Sequence, residues 1–420
     1  MPLRSLHSGN AAPTLSLLLL LLAVPRGAGA AGGVAAAALE SPLAVNAAGA
    51  QLLTPIKYMA MGRAVFYEVP QPPVRGVVAF FHGCAHDASD LWPRERCAEC
   101  DGLPEEVAHT KQALARGYAI IAIDAADATT RCFGVHTDRD AVVAILRAWL
   151  AQQGLQSKPL YAVGVSAGAA FALKLPMETP VHGVVSEVLG VLGEGWYSEN
   201  LGAAYPPTAY ISMPRDAKTA ERIAANLEEL RGMGVPADAI LVHPDRLTDD
   251  YLSNRSELIS PELSAKVVAA LLQIGLIDGA GTLLADPRYT KLTWRAQLAA
   301  LVPELTSTGD SLRADASHVS ELLNRAYASH EIVSDHFTAC LAWLEARGSV
   351  PLAGLSAQFA AVQLPGPRLR DLCPHRLHML PMRRRQAATA GGQPATAVAA
   401  LSALDTALWA VPAVLPVAVQ

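Results

Sequence analysis

An excess of positive charge is the first thing this sequence lacks. Lys and Arg number 33 against 38 Asp and Glu, a formal net charge of −5 at pH 7. There is no basic footprint for a phosphate backbone, so nucleic-acid binding is disfavoured. Long apolar runs are missing as well. Leu15 to Val24 is about half of the roughly 20 residues that a helix needs to cross a membrane, so no firm span is expected. No segment repeats at a fixed period, which argues against a solenoid or propeller. Metal-ligand spacing is equally sparse. Cys97-Ala98-Glu99-Cys100 has no second Cys-x-x-Cys to complete a zinc site, although Cys132 and His136 follow. No metal or other cofactor is expected.

What is present is a chain of 420 residues, 51% of them hydrophobic, ample for a large core and read most simply as one α/β domain with tails. Residues 1–30 have the three parts of a secretory signal: Arg4 and His7, then Leu15 to Val24, then small residues ending Ala28-Gly29-Ala30. The cysteines Cys84, Cys97, Cys100, Cys132, Cys340 and Cys373 suit an oxidising compartment, where an even number can pair completely. Disulfides among Cys84, Cys97, Cys100 and Cys132 are expected in preference to zinc. Asn254-Arg255-Ser256 is a glycosylation sequon consistent with the same route. The expected location is therefore secreted, or the lumen of the endoplasmic reticulum or vacuole. A plastid transit peptide is the alternative, because the first segment lacks acidic residues. Small residues Ala387 to Gly392 before apolar Ala407 to Val419 loosely suggest a GPI signal, against which Pro412 and Pro416 argue.

Residues 31–56 form an alanine-rich lead-in with no periodicity or turn chemistry, expected to wrap loosely or to lack structure. Arg63 to Val69 reads as an early strand ended by Pro70, Pro72 and Pro73. Val77 to Phe81 is a continuous apolar run stopping at His82-Gly83-Cys84, as expected of a strand buried on both faces. A helix follows over Leu103 to Arg116, begun by Pro104 with Glu105 and Glu106 in its first turn and stopped by Gly117. Then come a strand at Tyr118 to Ile123, a helix at Asp138 to Gln153 and a strand at Leu160 to Val165. Further strands are expected at Val181 to Leu189, Thr208 to Met213 and Ala239 to Val242, with a helix from Lys218 to Arg231 between the last two.

Such alternation implies an α/β fold with a doubly wound, mainly parallel sheet covered by helices on both faces. Residues 57–244 are assigned to this core. Residues 245–325 break the alternation with helices such as Ser260 to Gly275 and Thr293 to Leu301, and are read as a helical cap inserted over the carboxyl ends of the strands. Residues 326–348 return to the core with a helix capped by Ser334 and ended by Gly348. Residues 349–420 are a low-complexity tail.

The chain is organised around Gly164-Val165-Ser166-Ala167-Gly168, between a strand and a helix of small residues. In a Gly-x-Ser-x-Gly elbow only glycine-sized neighbours let the backbone turn tightly enough to push the serine hydroxyl out of the sheet, so Ser166 is the candidate nucleophile. A serine hydroxyl needs a histidine to take its proton and a carboxylate to orient that histidine, in the chain order serine, acid, histidine on this type of scaffold. Asp216, on the loop after the Thr208 to Met213 strand, is the chosen acid; it can also cap the helix that follows. Asp245 and Glu187 are the reserves. His330, just ahead of the final helix, is the chosen histidine, with His336 and His243 as alternatives. Acyl transfer also needs amides that hold an oxyanion. One is expected at Ala167 and the other at Gly83-Cys84, with His82 holding that loop.

His82-Gly83-Cys84 after an apolar strand, together with the Ser166 elbow, resembles the α/β-hydrolase superfamily, especially esterases related to polyhydroxybutyrate depolymerases. Asp90-Leu91-Trp92-Pro93, Cys97 and Cys100 leading into Gly102-Leu103-Pro104-Glu105-Glu106, and His330-Glu331-Ile332 are similar to an uncharacterised plant and algal group within it. The likeness covers residues 60–348 and implies a doubly wound sheet and a hydrolase, without a substrate. The expected activity is cleavage of a carboxylic ester, small or lipid-like, through an acyl-enzyme. A peptidase or amidase on the same machinery, or a non-catalytic binding protein on a hydrolase scaffold, is the alternative.

Overall fold

The computed structural model describes residues 45–360. The expectations for the amino-terminal signal, the GPI-like segment and Cys373 fall outside them. Eight strands form one sheet: β1 (Ile56–Ala60), β2 (Arg63–Glu68), β3 (Gly76–Phe81), β4 (Tyr118–Ile123), β5 (Leu160–Val165), β6 (Gly183–Glu187), β7 (Thr208–Ser212) and β8 (Ala237–Leu241), in the order β1-β2-β4-β3-β5-β6-β7-β8. Every neighbouring pair from β4 through β3 to β8 is parallel. β2 runs antiparallel to both β1 and β4. The order reverses direction at β3, where β4 lies on one side and β5 on the other, and in open parallel sheets the crevice at such a point is where a site can form.

The helices are α1 (Pro104–Ala115), α2 (Val135–Gln153), α3 (Ala167–Lys174), α4 (Trp196–Asn200), α5 (Ala217–Gly232), α6 (Pro261–Ile274), α7 (Trp294–Leu301), α8 (His318–Tyr327), α9 (Phe337–Glu345) and α10 (Leu352–Ala360). Side chains alternate across a strand, so Val78 and Phe80 of β3 join one core with α1 and α9, while Val77, Ala79 and Phe81 join another with α2, α3 and α5. Both faces are apolar because both are covered. The sheet is thus doubly wound, as expected. Residues between 247 and 326 build a third core of their own, with Val267, Leu271, Trp294, Leu298, Leu322 and Leu323 buried together. No helix among the described residues is long and apolar enough to cross a membrane.

Four expectations need correction. β1 was not foreseen. It is an edge strand with mostly exposed side chains, joined to β2 by Met61 and Gly62, both at positive φ (50° and 78°), and Met is an unusual residue for that conformation. The lead-in is ordered from residue 45 onward: Asn46, Leu52 and Leu53 are buried, and the Asn46 amide donates to Glu68 Oε1 and to the Thr54 carbonyl, both at 3.1 Å. Ser334 does not cap α9. Its amide and hydroxyl both donate to Glu105 Oε2 at 2.7 Å, a partner 229 residues away. The tail's first part is the helix α10, whose Leu352 is buried and whose backbone amide donates to Asp238 Oδ2 at 3.0 Å.

The lead-in therefore carries stability. Removing the Asn46 side chain in Asn46→Ala leaves a buried carboxylate with fewer donors and is expected to cost about 1–3 kcal/mol, read as a lower midpoint in urea denaturation; an unchanged midpoint would show that this segment contributes nothing.

Candidate active site

β5 ends at Val165 and α3 begins at Ala167, leaving one residue for the turn. Ser166 makes it at φ 51° and ψ −117°, a conformation that costs a non-glycine residue about 1–3 kcal/mol and is sustained only by its surroundings. Those surroundings demand glycine on either side. A Cβ on Gly164 would lie 2.2 Å from the Gly168 carbonyl oxygen, and one on Gly168 only 2.1 Å from that of Phe81. Helix and strands meet here with no room for a methyl group. The Ser166 amide donates to the Glu187 carbonyl at 3.0 Å, and its own carbonyl accepts from the Ala170 amide at 3.1 Å. Its hydroxyl makes no cap bond to α3, and lies instead 2.9 Å from His330 Nε2.

His330 follows α8, which is capped by Ala328 in the left-handed conformation. His330 Nδ1 is 2.6 Å from Asp216 Oδ2. Asp216 uses both carboxylate oxygens: Oδ1 accepts the Thr219 amide at 3.2 Å as the cap of α5, and Oδ2 faces the imidazole. Burial would raise its pKa, but the hydrogen bonds from Thr219 and His330 outweigh that and hold the carboxyl below its usual range. An imidazole proton on Nδ1 leaves Nε2 free to accept from an alcohol. With 33% of the His330 side chain exposed, a small molecule can reach it.

The histidine loop is held by groups to which the sequence alone gives no such role. Arg288 Nη1 donates to the His330 carbonyl at 2.6 Å. The Val333 amide donates to Glu187 Oε2 at 3.0 Å, and the other oxygen of Glu187 faces His109 Nε2 at 2.8 Å. Glu105, which takes both donors of Ser334, also accepts from Arg255 Nη1 at 2.9 Å. Arg255 in turn makes two 3.0 Å bonds to Asp335, and Arg325 bonds Asp335 as well. Burial would raise the Asp335 carboxyl, yet Arg325 and Arg255 hold it well below the carboxylate range. Nothing beside Glu105 in the sequence points to these bonds, because its partners lie 150 and 229 residues further along the chain.

The alternatives sit elsewhere. Glu187 is committed to His109 and Val333, Asp245 accepts from Arg325 at 2.6 Å, His336 Nδ1 lies 2.8 Å from the Ser356 hydroxyl, and His243 is exposed.

On the other side of Ser166, Gly83 packs against the elbow, its Cβ direction 3.9 Å from Ser166 Cβ. His82 is buried, and burial drives its pKa down to about 4, so the ring is neutral. Its Nε2 accepts the Ala125 amide at 3.3 Å, which leaves Nδ1–H to donate to the Gly83 carbonyl at 2.8 Å. That bond fixes the plane of the Gly83–Cys84 peptide, and in a trans peptide the Cys84 N–H points opposite to the Gly83 carbonyl. Ala167 opens α3, where the first amides have no acceptor within the helix. A disulfide joins Cys84 to Cys132 and another joins Cys97 to Cys100, so the Cys-x-x-Cys is spent on a crosslink. Complete pairing does not hold: Cys340 is buried in the core without a disulfide, because it packs on the apolar face of α9.

No protein-family model matches the chain, and no curated protein matches it. Among solved structures, it is similar to a predicted CIB-like hydrolase from Thermoplasma acidophilum (16% identity, 45% of this chain, 86% of that one, TM-score 0.32). It is likewise similar to carboxyl esterase 2 from the mycorrhizal fungus Tuber melanosporum (14% identity, 45% and 76%, TM-score 0.33). A third is an alpha-beta serine hydrolase homologue from Coxiella burnetii (14% identity, 46% and 87%, TM-score 0.34). At that level of likeness they add nothing to the topology and distances above.

The close approach of α3 to β3 is directly testable. Gly168→Ala forces backbone apart at a 2.1 Å contact and is expected to destabilise the protein by about 1–3 kcal/mol or more, measured by equilibrium unfolding. Wild-type stability in that variant would mean that the elbow is looser than described.

Proposed function

We propose that this chain, which has the α/β-hydrolase fold, is a serine hydrolase that cleaves a carboxylic ester of a small or lipid-like molecule through an acyl-enzyme. The observation that carries the reading is the unbroken line from Ser166 Oγ through His330 to Asp216, with bonds of 2.9 and 2.6 Å, starting from a serine held at positive φ. Strain at a polar residue, with its hydroxyl aimed at an imidazole, is what a nucleophile requires and what a packing serine does not.

In this reading Ser166 Oγ attacks the acyl carbon while His330 Nε2 takes its proton. Asp216 remains ionised and stabilises the imidazolium without accepting the proton. The charge that builds on the carbonyl oxygen is met by the Ala167 amide and by an amide of the Gly83-Cys84 turn. His330 then returns the proton to the leaving alkoxide as the carbon–oxygen bond breaks. Water, deprotonated by the same imidazole, attacks the acyl-enzyme; the acid is released and Ser166 regains its proton. Hydrogen bonding keeps Asp216 below the usual carboxylate range, so Asp216 stays ionised on mild acidification. The two disulfides support maturation in an oxidising compartment, in keeping with a secretory route.

The test uses a fluorophosphonate probe and a matched pair of p-nitrophenyl ester and p-nitroanilide with the same acyl group. Wild-type protein is expected to label and to hydrolyse the ester faster than the anilide. Ser166→Ala abolishes labelling, and Ser166→Ala and His330→Ala lower kcat by about 10⁴-fold or more. Asp216→Asn keeps an oxygen for the Thr219 amide, so it lowers kcat by about 10³–10⁴-fold with little loss of stability. Faster anilide cleavage would favour an amidase. Folded wild-type protein that neither labels nor turns over would overturn the proposal in favour of a binding scaffold.

A further inference from the structure

A second cluster of ionisable groups lies behind the Gly83 turn, and the reaction above makes no use of it. His86 follows that turn, Asp90 sits in the short 3-10 segment Ala88–Leu91, and Glu106 is in the first turn of α1. His86 Nδ1 is 3.0 Å from Asp90 Oδ2 and 3.4 Å from Glu106 Oε1, and one donor atom from each of the three lies within 4.8 Å of the others. Asp90 and Glu106 are each only 3% exposed. Glu106 Oε2 is buried with no hydrogen-bond partner.

Simple ion pairing leaves this arrangement unsatisfied. One Nδ1–H can be given to one carboxylate, and Asp90 is the nearer. Glu106 is left at 3.4 Å with its second oxygen unpaired, in a place where an unpaired carboxylate is costly. More negative charge converges from elsewhere. Glu321 of α8 has a buried, unpartnered Oε2, and both it and Glu331, the residue after His330, act electrostatically on Glu106. Several carboxylates thus face one imidazole with little solvent to share their charge.

The geometry points to a divalent-cation site formed by His86 Nδ1, Asp90 and Glu106, of the class that takes one imidazole and carboxylate oxygens, zinc or manganese. Ligands bound to zinc at 2.0–2.2 Å stand about 3.3–3.6 Å apart on the edges of a tetrahedron. The 3.0 and 3.4 Å separations at His86 are close to that spacing, so small movements seat an ion. The imidazole then serves both carboxylates through the metal, and the Glu106 charge is neutralised. Bound there, the ion would tie the turn after β3 to the first turn of α1. The inference stands apart from the role of Ser166, since its evidence lies in other residues.

The experiment is metal analysis of the full chain. Protein purified without chelator is examined by inductively coupled plasma mass spectrometry. Metal-stripped protein is then titrated with ZnCl2 and MnCl2 while thermal unfolding is followed. The expected result is about one equivalent of zinc or manganese per chain, retained or taken up, with a rise in Tm. Glu106→Gln keeps the side chain's size and removes its charge; it should weaken binding by about tenfold or more, and His86→Asn should do the same if the first variant folds poorly. Ser166→Ala should bind the ion like the wild type, which separates this site from the hydrolase reading. Protein that neither retains nor takes up metal, with an unchanged Tm, overturns the inference, as does wild-type affinity in Glu106→Gln.

Discussion

The crossing of backbone at the end of β5 is the constraint from which the rest of the site follows. β3, β5 and α3 approach so closely there that no side chain fits at positions 164 and 168. The chain must turn within one residue, and the residue that turns is driven to positive φ. Strain of about 1–3 kcal/mol is small beside what holds it in place: strands buried on both faces, such as β3 and β5, whose side chains are almost wholly withdrawn from water. Each buried Val, Leu or Phe side chain is worth about 1.5–3 kcal/mol. A stiff, apolar sheet lets one polar residue be held in an unfavourable shape, and that shape aims a hydroxyl away from the sheet.

The imidazole arrives by a different route. His330 is on a loop, and loops are positioned by what they bond to. Here the bonds are charged and largely buried: Glu187 and Glu105 accept the amides of Val333 and Ser334, Arg288 donates to the His330 carbonyl, and Arg255 and Arg325 bracket Asp335. Buried ion pairs contribute little net stability, yet breaking one by removing a partner is expensive. They are suited to fixing one arrangement of a segment whose Ile332 and Val333 also reach into the core. Arg255 and Arg325 come from the region with its own apolar core, and Glu105 from α1, so this network also joins that region to the sheet.

Sequence reading reached the elements whose signal is local. Ser166 was legible because two glycines and a strand-to-helix change surround it within five residues, and β3, β4 and β5 because continuous apolar runs mark strands covered on both faces. Asp216 was legible as an acid just past a strand, though its two roles could not be told apart until each carboxylate oxygen was seen with its own partner. β1 was not legible, since an exposed edge strand lacks apolar runs and its turn uses Met at positive φ. Glu105, Arg255 and Arg288 were not legible in their roles for a shared reason. Each acts on a residue far along the chain, and a single sequence carries no record of which distant groups meet.

The central claim is chemical: the hydroxyl of Ser166, and no other, becomes covalently bound during turnover. The most direct measurement is tandem mass spectrometry of peptides from protein inactivated with a diethyl phosphonate. The account predicts a single phosphonylated site on the peptide containing Gly164-Val165-Ser166-Ala167-Gly168, at Ser166. Modification at a different residue, or none in protein that is folded and treated with excess reagent, would contradict it.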